Sequence, residues 1–299
     1  MLRAMYTSIT GLRNHQTMLD VVGNNIANVN TYGYKGSTTA FKTLLTQTMQ
    51  GAGAPSPTLG GTNFQQVGLG MTIDSITQSF TQGALQTTGV QTDLAIQGDG
   101  FFNVSNDAAG IAAGAPEMSY TRAGNFKFDA SGTLVTSDGY FVLGWTDDDP
   151  ATAGFQLDTT NPMSQITLNP SLYSNVIVGA DGSVSGIYND PADPLNVSGR
   201  NGTREVVGMI ALSRFSNPSG MEQTGNNRWQ ESLNSGVPID DVPLANGLGA
   251  MSVGYLEMSN VDLATEFTEM IKAQRGFQAN SRVITTSDEI LQELVNLKR

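Results

Sequence analysis

Apolar residues spaced alternately three and four positions apart run along both ends of the chain. This spacing places them on one face of an α-helix, so it predicts a long amphipathic helix at each terminus. The C-terminal pattern continues from Leu263 to Val295, which is more than four heptads and is typical of a coiled-coil-like helix. The N-terminal pattern stops before Gly33, because glycine ends helices readily by adopting a left-handed backbone conformation.

Polar residues interrupt the C-terminal pattern at Gln274, Ser281 and Asp288. A coiled coil of two helices tolerates few polar residues in its seam, whereas a helix that contacts several neighbours tolerates more. Packing of each helix on its own domain is one interpretation; we favour side-by-side packing of helices from many copies of the chain. The predicted assembly interface comprises Leu2, Met5, Ile9, Leu12, Leu19, Ile26, Phe267, Met270, Phe277, Ile284 and Leu291.

The region between the two helical patterns indicates β-structure. Residues 92–97 and 101–104 are predicted strands, and Asp181-Gly182 is a typical hairpin turn. The predicted fold class is therefore α+β, with long N- and C-terminal helices packed together as a coiled-coil-like pair and a mainly β middle region. The predicted domains are a terminal helical assembly domain with a linker (1–69 and 250–299), a β domain (70–145 and 205–249), and a small outer β sub-domain or insertion (146–204).

Charge and composition exclude several classes of function. The chain has 15 basic and 27 acidic residues, a net charge of −12, so it lacks the clustered cations that bind nucleic-acid phosphates. It has no cysteine and one histidine, His15, which excludes thiolate and multi-histidine metal sites. No apolar run is long enough to cross a membrane, and the first residues do not form a signal peptide. We therefore expect neither an enzyme nor a cofactor, a metal site, membrane insertion or nucleic-acid binding.

Several motifs resemble one family. Residues 24–35 (NNIANVNTYGYK) and 270–280 (MIKAQRGFQAN) closely resemble the terminal signatures of bacterial flagellar rod and hook proteins. Residues 92–102, 120–126 and 215–229 resemble the β-domain motifs of the same family. Agreement of five separated motifs, in the same order, makes chance an inadequate explanation.

The resemblance implies a structural subunit rather than an enzyme. Members of this family stack helically into a hollow tube, with paired terminal helices in the inner wall and β domains outside. They are exported through the flagellar secretion channel without a cleaved signal, so the implied location is the bacterial flagellum, outside the cell. The implied partners are further copies of the chain, the rod protein, the hook cap, the hook–filament junction proteins and the export apparatus.

Within the family, residues 66–71 (QVGLGM) and 291–297 (LQELVNL) resemble hook proteins of the short type. This implies a flexible tube that transmits torque from rod to filament and lets exported subunits pass. One departure favours a different member, because only about 60 residues separate Trp145 from Val206, where many hook proteins carry a large insertion. A distal rod subunit, which forms a rigid shaft, is therefore the alternative, and a surface adhesin is a remote one.

Overall fold

The computed structural model of the chain describes residues 2–55, 60–107, 117–146, 162–189 and 201–297. The chain divides into two compact units. The first unit comprises Met1–Val29, Gly36–Ser79 and Val261–Arg299, and the second comprises Asn30–Lys35 and Phe80–Asn260. Part of the predicted outer sub-domain, residues 147–161 and 190–200, lies outside the described residues, and the predicted domain boundaries stay predictions.

The first unit contains the two long helices. Helix α1 spans Leu2–Ala27 and helix α2 spans Leu263–Asn296. Asp262 caps α2, because its carboxylate accepts a hydrogen bond of 3.0 Å from the backbone N–H of Ala264. The predicted pairing of the terminal helices is confirmed, since they contact each other along their length. Their coiled-coil geometry stays a prediction.

Four strands follow α1 in the chain. Strand β1 (Ser37–Thr43) pairs antiparallel with β4 (Met71–Gln78), and β2 (Thr46–Gln50) pairs antiparallel with β3 (Gln65–Gly68). Backbone hydrogen bonds at Leu44 and Leu69 join the two pairs, so residues 37–78 form one ribbon over their described length. We call this element the β ribbon.

The second unit is built from antiparallel strands, which confirms the predicted β middle region. Its large sheet has thirteen strands among the described residues, with the central order β13-β14-β15-β11-β7-β8-β18-β17. These strands are β7 (Phe101–Ser105), β8 (Ser119–Thr121), β11 (Phe141–Thr146), β13 (Tyr173–Val178), β14 (Ser183–Tyr188), β15 (Arg204–Ile210), β17 (Glu222–Gly225) and β18 (Arg228–Gln230).

Shorter strands complete the second unit. The side strands of the sheet are β9 (Lys127–Phe128), β10 (Leu134–Val135), β12 (Ser164–Gln165), β16 (Leu212–Arg214) and β19 (Ile239–Asp241). Two further pairs lie outside it. Strand β6 (Leu94–Gln97) pairs with β20 (Ala250–Val253), and β5 (Leu85–Thr87) pairs with β21 (Tyr255–Glu257). The pairs join residues early in the unit to residues near its end.

The core of the second unit is apolar and has two main parts. The larger part is aliphatic, with Val104, Val142, Ile210 and Leu212 fully buried. The smaller part is aromatic, with edge-to-face contacts among Phe101, Tyr120, Phe215 and Trp229. Because such ring contacts add to the free energy gained from burial, they help fix the position of β7, β8 and β18 relative to one another.

Two glycines of the family-like motifs allow the backbone to approach closely. Gly33 has a φ of +67°, and a Cβ atom there would lie 2.6 Å from the backbone nitrogen of Ala123. A Cβ atom on Gly124 would lie 1.6 Å from the carbonyl oxygen of Leu94. No side chain fits at such distances, so both positions require glycine.

A buried cluster of charges joins four separate segments of the second unit. Lys35 Nζ lies 2.6 Å from Glu257 Oε1, and Arg122 Nη1 lies 3.3 Å from Glu257 Oε2. The backbone N–H of Gly83 also donates to Glu257, and Lys35 donates to the carbonyl oxygen of Thr81 at 2.8 Å. The side chains of Lys35 and Glu257 are wholly inaccessible to solvent. We call Lys35, Arg122 and Glu257 the ion cluster.

The ion cluster depends on its one anion. Burial lowers the pKa of Lys35 and of Arg122, and the carboxylate of Glu257 opposes both shifts. A buried charge that loses its partner is strongly destabilising, because it has been removed from water and has nothing to replace it. The single carboxylate of Glu257 therefore holds two cations in place.

We predict that Glu257→Gln lowers the free energy of unfolding of the second unit by about 3–5 kcal/mol, because Lys35 and Arg122 are then buried without an anion. Urea unfolding followed by the circular dichroism of the β-structure measures this loss. Glu222→Gln, on the exposed strand β17, is the matched control and should change stability by less than about 0.5 kcal/mol. Equal stability of the two variants would contradict the prediction.

Candidate assembly surface

Small and polar side chains form the contact between α1 and α2. The buried residues are Ser8, Gly11, Val22 and Asn25 on α1 and Ala273 and Ser287 on α2. A Cβ atom on Gly11 would lie 2.6 Å from Asn280 Nδ2, and one on Gly276 would lie 2.5 Å from His15 Nε2. The absence of side chains at both glycines therefore lets the helices approach closely.

The helices run antiparallel. Gly11 lies beside Asn280, whereas Asn25, further along α1, hydrogen-bonds to Glu266, nearer the start of α2. Helix α2 has 34 residues and α1 has 26, so α2 is longer by about 12 Å at 1.5 Å per residue. At the same antiparallel register, Leu2 lies opposite Glu289. The last two turns of α2 therefore extend beyond the first residue of α1.

The residues predicted from the apolar spacing lie beside this contact rather than at its centre. Met5, Ile9, Leu12, Leu19 and Ile26 are half-buried. Leu2 begins α1, and its side chain lies outside the described part of the structure. The most buried positions of α1 are shifted by one residue from the predicted apolar positions. Small or polar residues such as Gly11 and Asn25 occupy them. A search for apolar spacing passes over such residues.

The same displacement occurs on α2, where the centre of the contact passes through Ala273. The predicted residues Met270, Ile284 and Leu291 are half-buried, whereas Phe267 and Phe277 are 50% and 38% exposed. The spacing of the small residues Ser8 and Gly11 on α1 and Ala273 and Gly276 on α2 was the signal that could have located the contact.

Helix α2 leaves many large apolar side chains exposed. Leu263, Phe267 and Ile271 follow one another at intervals of four residues, so they share one side of the first turns. Ile290, Leu294 and Leu297 line the turns that extend beyond α1. Single exposed apolar residues are ordinary, but continuous rows of them mark contact surfaces. We call these two rows the exposed rows of α2.

Asn25 connects three elements of the first unit. Its side-chain amide donates to the carbonyl oxygen of Ser37 at 2.8 Å and to Glu266 Oε1 at 3.1 Å, and its oxygen accepts from the N–H of Ser37 at 3.0 Å. Burial raises the pKa of Glu266. Asn25 therefore ties α1 to the start of β1 and to α2, which explains why an amide, rather than an apolar residue, occupies this buried position.

The β ribbon is also rich in exposed apolar side chains. Leu45, Met49 and Phe64 are 62–68% exposed, and Val67 is 41% exposed. Every residue of β2 and β3 is exposed. Exposed strands with apolar side chains invite contact with another chain, so the ribbon is a second candidate surface of the first unit.

Within the described ranges, the structure contains no group of three or more histidine, cysteine, aspartate or glutamate residues that could hold a metal ion. None of the described helices combines the length and the apolar character that a membrane crossing requires.

Comparison with known proteins identifies three matching family regions. Residues 5–35 match "Flagella basal body rod protein", residues 95–186 match "Flagellar hook protein FlgE/F/G D1 domain", and residues 252–297 match "Flagellar basal body rod FlgEFG protein C-terminal". Flagellar basal-body rod protein FlgG of Bacillus subtilis is 45% identical over 301 aligned positions that cover 100% of both chains. The chain belongs to the flagellar hook and rod protein family. This confirms the resemblance seen in the sequence motifs.

Two further relatives of this family come from Borreliella burgdorferi. Its flagellar hook protein FlgE is 31% identical over 450 positions, and its flagellar basal-body rod protein FlgG is 35% identical over 306 positions. Both alignments cover 100% of this chain and 100% of the relative. A crystal structure of Helicobacter pylori flagellar hook protein FlgE2 is 24% identical over 31% of this chain and 23% of that one, with a TM-score of 0.24. The names of these relatives denote structural flagellar proteins.

The family regions include the contacts described above. The N-terminal region contains Gly11, Asn25 and Lys35, and the C-terminal region contains Glu257 and Ala273. In this flagellar hook and rod protein, the terminal matches thus cover both partners of the helix pair and two members of the ion cluster.

We predict that Ala273→Leu destabilises the helix pair by about 1–3 kcal/mol, because Ala273 is wholly buried between α1 and α2 and a larger side chain overpacks the contact. Ala279→Leu adds the same atoms on the exposed side of α2 and should change stability by less than about 0.5 kcal/mol. Thermal unfolding followed at 222 nm compares the two variants. A loss of the same size in both would contradict the close packing described here.

Proposed function

We propose that this chain is a subunit of the distal rod of the bacterial flagellar basal body. Copies of it would polymerise helically into a hollow, rigid shaft. The observation that carries the proposal is the length of the alignments. The rod protein of Bacillus subtilis aligns over 301 positions with a chain of 299 residues, whereas the hook protein of Borreliella burgdorferi requires 450 positions to cover both chains. The hook protein thus carries a large insertion that this chain and the rod protein lack.

The β ribbon supports the choice of a rigid shaft. A tube that bends requires neighbouring subunits to slide, and a long glycine-rich loop would permit this. In this chain, backbone hydrogen bonds pair β1 with β4 and β2 with β3 instead. Paired strands have far fewer accessible conformations than a loop, so they hold a contact with a neighbour in one geometry.

The exposed rows of α2 support polymerisation. Burying one large apolar side chain contributes about 1.5–3 kcal/mol, and the contribution is repeated in every subunit of a helical assembly. The half-buried residues beside the helix contact, including Met5, Ile9 and Ile284, can add to this once a neighbour covers them. We propose that the predicted assembly residues act in this way, at the edge of the helix pair and in contact with other copies.

The proposal also includes the kind of protein, its export and its partners. The subunit is structural and not an enzyme, it reaches the flagellum by export without a cleaved signal peptide, and its principal partner is a second copy of itself. The export apparatus and the other rod and hook proteins are its further partners. The hook cap and the hook–filament junction proteins would be partners only if the chain were a hook subunit.

A flexible hook subunit is the second candidate, because residues 66–71 and 291–297 resemble hook proteins of the short type. Electron microscopy of purified assemblies tests the choice. We expect straight tubes in which the β ribbon makes the same contacts in every protofilament. Curved tubes, with ribbon contacts that differ between protofilaments, would favour the hook and contradict the rod.

We predict that Phe277→Asp reduces the mass of sedimentable polymer at least tenfold, because the loss of one buried contact of this size is worth about a factor of ten or more. Phe277 is 38% exposed in the single chain, so the subunit should still fold, and circular dichroism should show unchanged β-structure.

Gln278→Asp is the matched control, since it adds the same charge at the neighbouring exposed position. It should polymerise to within a few-fold of the unmodified chain. Normal polymerisation of Phe277→Asp would contradict the role proposed for the exposed side of α2.

A further inference from the structure

The second unit contains a cavity of about 280 Å³ beside the ion cluster. Its wall includes the aromatic rings of Phe80, Phe101 and Phe215 and the side chains of Arg122 and Arg214. The ring centroids of Phe80 and Phe215 lie 5.5 Å and 6.0 Å from that of Phe101, so the apolar part of the wall is packed into the aromatic core. The cavity is therefore a fixed feature of the fold.

The two arginines of the wall have unused hydrogen-bonding capacity. Arg122 is 4% exposed, and while its two terminal nitrogens bind Glu257 and the carbonyl oxygen of Gly98, its Nε is buried without a partner. The side chain of Arg214 is half-buried and forms no hydrogen bond or ion pair with the described residues. Buried polar groups are normally paired, so the unpartnered Nε of Arg122 requires an explanation, and Arg214 adds a second, half-buried guanidinium to the same wall.

The charges around the cavity do not balance. Arg122 and Arg214 line the cavity with two positive charges, and the exposed Asp99 lines it with one negative charge. Glu257 is already shared between Lys35 and Arg122. One further carboxylate would balance the group, and the planar guanidinium is the side chain best suited to bind one.

The position of Arg214 is restricted by the neighbouring backbone. A Cβ atom on Gly247 would lie 2.8 Å from Arg214 Nη1, so the guanidinium lies directly against this glycine. Arg122 is held from the other side, with its Cζ 5.2 Å from the centroid of Phe101. Both groups are therefore placed before any ligand arrives, which lowers the entropic cost of binding.

We propose that this cavity is a carboxylate-binding site that accepts an acidic side chain of a neighbouring copy of the chain, between Arg122 and Arg214. The proposal rests on the polymerisation proposed above. We call this cavity the arginine pocket.

The charge of the chain identifies the occupant. Residues 51–249 contain six basic and 19 acidic residues, so contacts between second units of different copies bring carboxylates together. Like charges across a contact oppose association, and they recur in every subunit of a homopolymer. A pocket with an unpaired cation gives one of these carboxylates a partner. The pairing also fixes the position of the neighbouring copy.

The first experiment tests the site in the unassembled full-length chain. The side-chain Nε–H resonances of ¹⁵N-arginine are followed while N-acetylglutamic acid α-amide, which has one free carboxylate, is added. We expect the resonances of Arg122 and Arg214 to shift with millimolar affinity, and N-acetylglutamine amide to leave them unchanged. In Arg214→Gln, the affinity reported by Arg122 should fall at least tenfold. Equal responses to the acid and the amide would overturn the site.

The second experiment tests the occupant by sedimentation of assembled protein. We expect Arg214→Gln to reduce polymer at least tenfold and Arg214→Lys to reduce it less, because lysine keeps the charge and loses the planar geometry. Arg204→Gln is the matched control, since it removes the same charge from the exposed first residue of β15, and it should polymerise normally.

The outcomes separate this inference from the proposed function. If the unmodified chain does not polymerise, the proposed function fails, and the titration alone decides whether the pocket binds carboxylates. If the unmodified chain and Arg214→Gln polymerise equally well, the neighbouring copy is overturned as the occupant, even where the probe binds. Loss of polymer in Arg214→Gln with normal folding and normal Arg204→Gln supports both.

Discussion

The ion pair between Lys35 and Glu257 is the interaction on which the second unit depends most. Lys35 lies eight residues after α1 ends, and Glu257 lies six residues before α2 begins, so the pair joins the first segment of this unit to the end of its last segment. Arg122 adds a third segment through the same carboxylate. Because the charges are buried, they cannot exchange their partners for water, and removal of Glu257 leaves two cations without an anion. This enforces one arrangement of segments that are far apart in sequence.

A different principle holds the first unit together. Its helices approach mainly through glycine, alanine, serine and asparagine, and the two glycines leave space that Asn280 and His15 of the facing helix occupy. The large apolar residues are consequently displaced to the flanks or to the outside of α2. In an isolated subunit this arrangement exposes much apolar surface. In a polymer the same residues would be buried by neighbours.

The arginine pocket links the ion cluster to the contacts proposed between copies. Arg122 belongs to the ion cluster and to the wall of the cavity, so the group that stabilises the fold would also contribute to a contact between copies. A fixed cationic site is valuable in a chain of net charge −12, because assembly must bring many carboxylates close together. The exposed rows of α2 would supply apolar contact area, and the pocket would supply a specific position. Area alone does not define how neighbours are oriented, whereas a paired charge does.

The sequence by itself determined the class of fold, both terminal helices, the β middle region and the family. These follow from local periodicity and from motifs, which are visible without knowledge of distant neighbours. The tertiary structure alone decided that the helix contact passes through Gly11 and Ala273 rather than through the apolar stripes, and that residues 37–50 and 65–78 pair as strands. It also brought Lys35, Arg122 and Glu257 together. Their pairing could not be predicted, because it depends on contacts between residues 87 to 222 positions apart, which periodicity does not record.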